Sequence, residues 1–182
     1  MDNQVATKTR WAIDPSHSEV QFKVKHLVIS TVTGYFKEFN GSFEAGENFE
    51  NADINFEIKT DSINTNNADR DAHLKSDDFF NAEQFPSITF KGISFEKKSE
   101  DEYTLNGDLT IRDNTNPISL NVEFGGIMVD PYGQTKAGFE ITGKLNRKDY
   151  GLTWGAVTEA GGVVVGDDIK LHVNVQFTKQ EA

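Results

Sequence analysis

The sequence contains no cysteine, which removes a disulfide framework, a thiolate metal site and a cysteine nucleophile together. No apolar run approaches the ~20 residues that a membrane-spanning helix needs, so stable membrane insertion is not expected. The opening residues, MDNQVATKTR, lack the apolar stretch of a secretory signal. The expectation is a cytoplasmic chain as written, or a periplasmic one if its N terminus is that of a mature protein. Positive charge is scarce: 18 Lys and Arg stand against 29 Asp and Glu, a formal net charge of -11. A broad acidic surface repels phosphate backbones, which argues against nucleic acid and against electrostatic docking on anionic lipid.

Catalytic signatures are missing as well. His17, His26, His73 and His172 are scattered, with no H-E-x-x-H and no metal-ligand spacing. Asp71 and His73 are two apart and would point to different faces of a helix. Ser16 and Ser18 flank His17, but neighbours in sequence do not make a triad. There is no G-x-S-x-G and no phosphate-cradling glycine loop. A binding protein, not an enzyme, is the expectation, with no cofactor beyond a bound ligand.

What the chain does have is alternation. Ile54, Phe56 and Ile58 alternate with Asp53, Asn55, Glu57 and Lys59, and Leu105, Gly107, Leu109 and Ile111 with Asn106, Asp108 and Thr110. The same period of two runs through Ile118–Phe124, Phe139–Leu145 and Ile169–Phe177, and the fourteen Phe sit mostly inside such segments. Side chains on a strand point alternately to opposite faces, so each of these strands has one buried and one wet face. Phase slips after His26, Gly92 and Gly126 predict bulges or bends, beyond which Leu27 and Ile29, Ile93 and Phe95, and Ile127 and Val129 resume. Turns are predicted at Asn40-Gly41, Gly46–Asn48, Asn114–Pro117, Asp130–Gly133 and Gly166–Asp168. The count is roughly eight strands. The fold class is therefore mainly β, a single antiparallel barrel or a two-sheet sandwich, with residues 1–9 as a loose arm and 10–182 as the domain.

Residues 61–85 break the pattern. Asn66 to Leu74 offers Asn/Asp caps ahead of helix-tolerant residues, and Phe85-Pro86 ends the island. One or two short helices are expected across an end of the barrel, with a weaker helical turn at Arg147–Gly151. An eight-stranded barrel can be filled by its own side chains or can line a slot. Strands of about ten residues, against a usual five or six, make a tall barrel and favour the slot. Such a slot fits an extended apolar molecule. Arg112 and Arg147, each ending an alternating strand, are the cations placed to meet an anionic head group, because the Arg fork is bidentate.

Several ordered motifs are similar to those of the YceI-like family. They are Trp11–Ser18, Val24-Lys25-His26, Gly34-Tyr35-Phe36, Phe39-Asn40-Gly41 and Ser62–Thr65, then Arg70–Leu74, Asp78-Phe79-Phe80 and Phe85–Phe90, then Gly107–Arg112 and Arg147–Gly151. The resemblance spans about Trp11 to Phe177. It implies a lipocalin-like barrel holding a long isoprenoid, of the polyprenyl-phosphate or isoprenoid-quinone type, and it makes a homodimer an expectation. Neither Trp11 nor Trp154 carries the preceding G-x of classical lipocalins. Asp113 stands where the family usually has Gly after Ile-Arg, so a positive backbone angle and a carboxylate beside Arg112 come into question there. The expected function is binding, transport or storage of such a lipid. The expected lining is Phe22, Val24, Phe36, Phe56, Ile58, Phe90, Leu109, Ile111, Phe139, Ile141 and Trp154, with His73, Arg112 and Arg147 at the head-group end. The alternative is a packed structural or stress-response barrel acting through its surface.

Overall fold

Alternation turns into strands with one buried face: β8 (Glu102–Ile111) buries Tyr103, Leu105, Leu109 and Ile111, while Asn106, Asp108 and Thr110 reach the outside. The structure is a computed structural model and describes residues 8–155 and 165–180. Of the expected arm, residues 1–7 lie outside the described residues, and β1 (Thr9–Ile13) already begins at Thr9. The other strands are β2 (Glu19–His26), β3 (Ser30–Phe36), β4 (Phe39–Ala45), β5 (Asp53–Lys59), β6 (Ile63–Asn64), β7 (Ser87–Lys97), β9 (Asn114–Val129), β10 (Thr135–Asn146) and β11 (Val165–Lys179). One α-helix, α1 (Ala68–Lys75), is present among the described residues. The expected second helical turn is a single 3-10 turn, Arg147–Tyr150.

The barrel closes through the order β1-β4-β5-β7-β8-β9-β10-β11 and back to β1, all antiparallel. Eight strands, as expected, make this ring. Three of its staves are broken in two. β11 pairs with β1 near its C-terminal end (Phe177 opposite Ile13) and with β2 further up (Ile169 opposite Val24). So β1 and β2 are one stave, interrupted by the Pro15–His17 turn, where Pro15 has no N–H to give a ladder. β3 and β4 form a second stave, and β5 and β6 a third, interrupted at Thr60–Ser62.

The two halves of the barrel close differently. The β9–β10 ladder ends at Asn121 opposite Thr142, although both strands continue. Beyond that point the side-chain amides of Asn114 and Asn116 donate to the carbonyls of Tyr150 and Asp149 at 2.9 and 2.8 Å. Pro117 lies in this stretch, where β9 pairs only with β8. The upper end is thus splayed and bridged by the 147–155 segment and by the α1 island. The lower end is a continuous ring.

Several local expectations change. After His26 the chain does not bend and continue; it reverses, and Leu27–Ile29 is the loop of a hairpin that pairs His26 with Ser30. At Gly92 the bulge is real, but Ile93 is the bulged residue and points to solvent while Phe95 returns to the interior. Beyond Gly126, Ile127 and Val129 are exposed, because past its bulge the β9–β10 ribbon runs clear of β8. Asn40-Gly41 is no turn but part of β4: a Cβ at Gly41 would sit 2.5 Å from the ring of Phe56 on β5, so glycine there seats that ring. The predicted turn at Asn114–Pro117 is strand, and the β8–β9 reversal is made by Arg112 and Asp113 alone. Gly166–Asp168 is an irregularity inside β11, not a turn.

Candidate ligand-binding cavity

The inward faces of these strands enclose an elongated cavity of about 220 Å³, whose exposed wall is entirely apolar. Its floor is aromatic. Phe49 takes a left-handed backbone angle (φ 62°) in the turn after β4, which swings its ring under the barrel. There it meets Phe124 at 5.1 Å and Phe139 at 5.4 Å between centroids, edge to face. Phe43 stacks on Trp11 at 5.8 Å and meets Phe177 edge-on at 4.9 Å. Edge-to-face pairs of this kind place the positive ring edge on a negative face, which fixes orientation as well as burying area. The lower end is closed.

The upper end is covered by the island. Asn67 caps α1 by accepting from the Arg70 amide at 3.0 Å. Asp71 accepts from the Thr65 amide and hydroxyl, and the Arg70 guanidinium grips the same threonine through its hydroxyl and its carbonyl. This small knot orients Leu74, Phe79 and Phe80 over the cavity.

Two arginines fasten the cover. Arg112, in the β8–β9 reversal, donates to the Asp77 and Phe79 carbonyls at 3.2 Å each and to the Asp77 carboxylate at 3.0 Å, and lies over the Phe85 ring. The positive backbone angle of this turn belongs to Arg112 itself (φ 57°), not to Asp113, and the carboxylate that pairs with it is Asp77. Arg147 is 3 % exposed. Its guanidinium donates to the carbonyls of Leu152 and Trp154 at 2.6 Å and of Gly166 at 2.9 Å, with Val165 and Asp167 further off at 3.4 and 3.6 Å. Burial lowers its pKa, and the charge of Asp167 offsets that lowering only in part. Tyr150 beside it is raised by burial and by Asp149.

Phe22, Val24, Phe36, Phe56, Ile58, Phe90, Leu109, Ile111, Phe139 and Ile141 all stand on the cavity wall, and the edge of Arg147 joins them. Trp154, His73 and Arg112 do not. Trp154 and His73 form an outer lip: the imidazole is 4.9 Å from the indole and 5.1 Å from Phe79, edge-on to both, with Nε2 2.8 Å from Asp78. The wall is much wider than the expected lining, and Phe43, Phe49 and Leu152 are among the many residues that sequence reasoning missed. Phe43 had a usable signal, since it shares parity with Gly41. Phe49 and Leu152 sit in irregular segments where no period exists. Among the described residues, no group of three His, Asp or Glu side chains could hold a metal ion.

The family model of the YceI-like domain matches residues 11–177. The chain belongs to the YceI-like family. UPF0312 protein SA2479 of Staphylococcus aureus is 39% identical over 175 residues, covering 95% of this chain and 99% of the relative. Among solved structures, the Campylobacter jejuni YCEI protein superposes with a TM-score of 0.74 at 34% identity, covering 86% of this chain and 90% of that one. A polyisoprenoid binding domain from Saccharophagus degradans superposes with a TM-score of 0.66 at 14% identity, over 93% and 98% of the two chains. That likeness is one of fold.

Proposed function

We propose that this YceI-like barrel binds the hydrocarbon chain of an isoprenoid lipid without covalent chemistry and serves as its carrier or store. The observation that carries the reading is the wall: from the Phe49 floor to the Phe80 cover the cavity offers no polar surface. A chain enters such a slot by burying area, at about 25 cal/mol per Å². Phe22, Phe56, Phe90 and Ile141 grip it laterally. The fold shared with a polyisoprenoid binding domain supports the same reading. Arg112 and Arg147 spend their donors on backbone carbonyls and on Asp77 and Asp167, so in this reading they hold the cover, not an anion. The head group then lies at the His73–Trp154 lip, and selectivity is for the chain.

The test is mass spectrometry of organic extracts beside native mass spectrometry of the intact protein. A stoichiometric isoprenoid, or a rise in melting temperature with added quinone or prenyl phosphate, is expected, since a ligand of the native state must stabilise it. An empty protein whose melting temperature ignores both ligand types would instead leave a packed barrel acting through its surface.

A further inference from the structure

The hairpin between β2 and β3 has an unusual tip. Its three loop residues are Leu27, Val28 and Ile29, and they are 39, 69 and 85 % exposed. Leu27 and Val28 both adopt positive backbone angles, φ 53° and 65°. That conformation belongs to Asn and Gly in hairpin turns, and a β-branched valine is among the worst residues for it. The sequence thus accepts local strain to place three consecutive apolar side chains in water. Scattered exposed apolar residues are ordinary; a contiguous projecting group is not.

The tip also has a charged collar. Lys144 on β10, Lys170 on β11 and Lys23 on β2 lie opposite one another in consecutive registers, a row of three ammonium groups across the outer face. Lys25 follows, two residues nearer the tip. Like charges directly opposite disfavour strand pairing. Lys144 is paired with Asp168 at 3.2 Å, but among the described residues Lys23, Lys25 and Lys170 have no carboxylate within 4.0 Å. In a chain of net charge -11 this is a local inversion of sign. Along β2 the inward residues Phe22 and Val24 are cavity wall, and Val165, paired with His26 at the base of the tip, lines the cavity too. β2 therefore carries part of the wall, two of the collar lysines and the apolar tip, at the splayed end of the barrel.

We propose that the Leu27–Ile29 tip is a membrane-contact element. Its three side chains enter the boundary between head groups and acyl chains, and Lys23, Lys25 and Lys170 meet lipid phosphates, so that the mouth of the cavity faces the bilayer from which its chain is drawn. The attachment is shallow and reversible, as three side chains without a lipid anchor allow. A second copy of the chain is the poorer occupant, because a two-fold contact through this tip would bring the two lysine collars together. The proposal rests on the lipid-binding reading above for its purpose, but not for its test.

The test variant is Leu27→Asn with Val28→Gly and Ile29→Ser. Asn and Gly suit the positive angles, so the hairpin is kept or relieved of strain, and an unchanged or raised melting temperature verifies it. Wild-type protein is expected to co-sediment with phosphatidylcholine vesicles, more so when phosphatidylglycerol is present, and less as salt rises. The tip variant should lose roughly tenfold or more of that binding. Lys23→Glu with Lys170→Glu should lose the phosphatidylglycerol increment alone. Uptake of an isoprenoid quinone from detergent micelles should be unchanged in the tip variant, while uptake from vesicles slows. Absence of wild-type vesicle binding, equal binding by the tip variant, or a tip variant that changes only self-association in sedimentation would each overturn the proposal. Failure of quinone uptake from micelles by the wild type would instead overturn the lipid-binding reading, and vesicle adhesion would still report on the tip.

Discussion

Replacing Arg147 by Met separates a fastener from an anion receptor. Three of its hydrogen bonds are short, to the carbonyls of Leu152, Trp154 and Gly166. Bonds from a charged donor contribute about 1.5–3 kcal/mol each, and a buried carbonyl left without a partner costs about 1–3 kcal/mol. Against that, removing the guanidinium recovers its desolvation, which is several kcal/mol for a buried ion. The net expectation is a loss of about 3 kcal/mol, or roughly 6–12 °C in melting temperature for a domain of this size. Urea denaturation of both proteins measures it, read as a lower midpoint with an unchanged slope. Ligand binding should weaken equally for a quinone and for a prenyl phosphate, because the loosened segment is part of the wall. A variant as stable as wild type that loses only the phosphate ligand would refute the reasoning and make Arg147 a head-group residue.

Three further outcomes follow from the geometry. Phe56→Asp puts a carboxylate on the apolar wall and should abolish lipid uptake, whereas Glu57→Ala, on the outer face where it accepts from Ser87, should leave uptake intact; equal loss in both would show the assigned face to be wrong. Burial alone would raise the pKa of Asp14, but hydrogen bonds from Ser16, Lys136 and His17, and the charge of Lys136, hold it well below the usual carboxylate range. The stability it supplies is present above the unfolded value of about 3.9 and is lost as pH falls through the lower folded value. Asp14→Asn should therefore cost about 2 kcal/mol at neutral pH and flatten the decline of stability below about pH 4, as acid titration of the unfolding midpoint would reveal. Among the described residues, the buried hydroxyl of Thr60 finds no hydrogen-bond partner, so Thr60→Val should be neutral or stabilising by about 1 kcal/mol in calorimetry.

Parity was the legible part. A residue such as Leu109 could be assigned inward because its neighbours Asp108 and Thr110 are wet-face residues, and one buried neighbour fixes the rest of the strand. The wall was therefore readable wherever a strand was regular. It failed at reversals: the pattern at Val24–Ile29 looks like a strand with a slip, because Leu27 and Val28 are not the residues a turn requires, and only their positive angles reveal the hairpin. Gly41 misled in the opposite sense, since it lies in a strand and not in a turn. Gly34 and Gly41 serve as recesses for the rings of Phe22 and Phe56 on neighbouring strands, a pairing that no single strand displays. The roles of Arg112 and Arg147 were invisible for a related reason, since their partners are backbone carbonyls and a carboxylate brought close only by folding.

The unequal closure of the two ends has a kinetic consequence. A ring of ladders opens only by rupturing a whole strand pairing, and the lower end is such a ring. The upper end is joined by the Asn114 and Asn116 amides, the two-residue β3–β6 bridge and the arginine fasteners. A few side-chain bonds can part and re-form without global unfolding, in the low-energy class of local opening events. The backbone amides of β8, laddered on both sides from Tyr103 to Thr110, should then exchange with solvent hydrogen only through unfolding, while those of β6 and the 147–155 segment exchange through breathing. In the lipid-binding reading, the residence time of the bound chain is set by that rim, and the barrel itself can be as rigid as its floor demands.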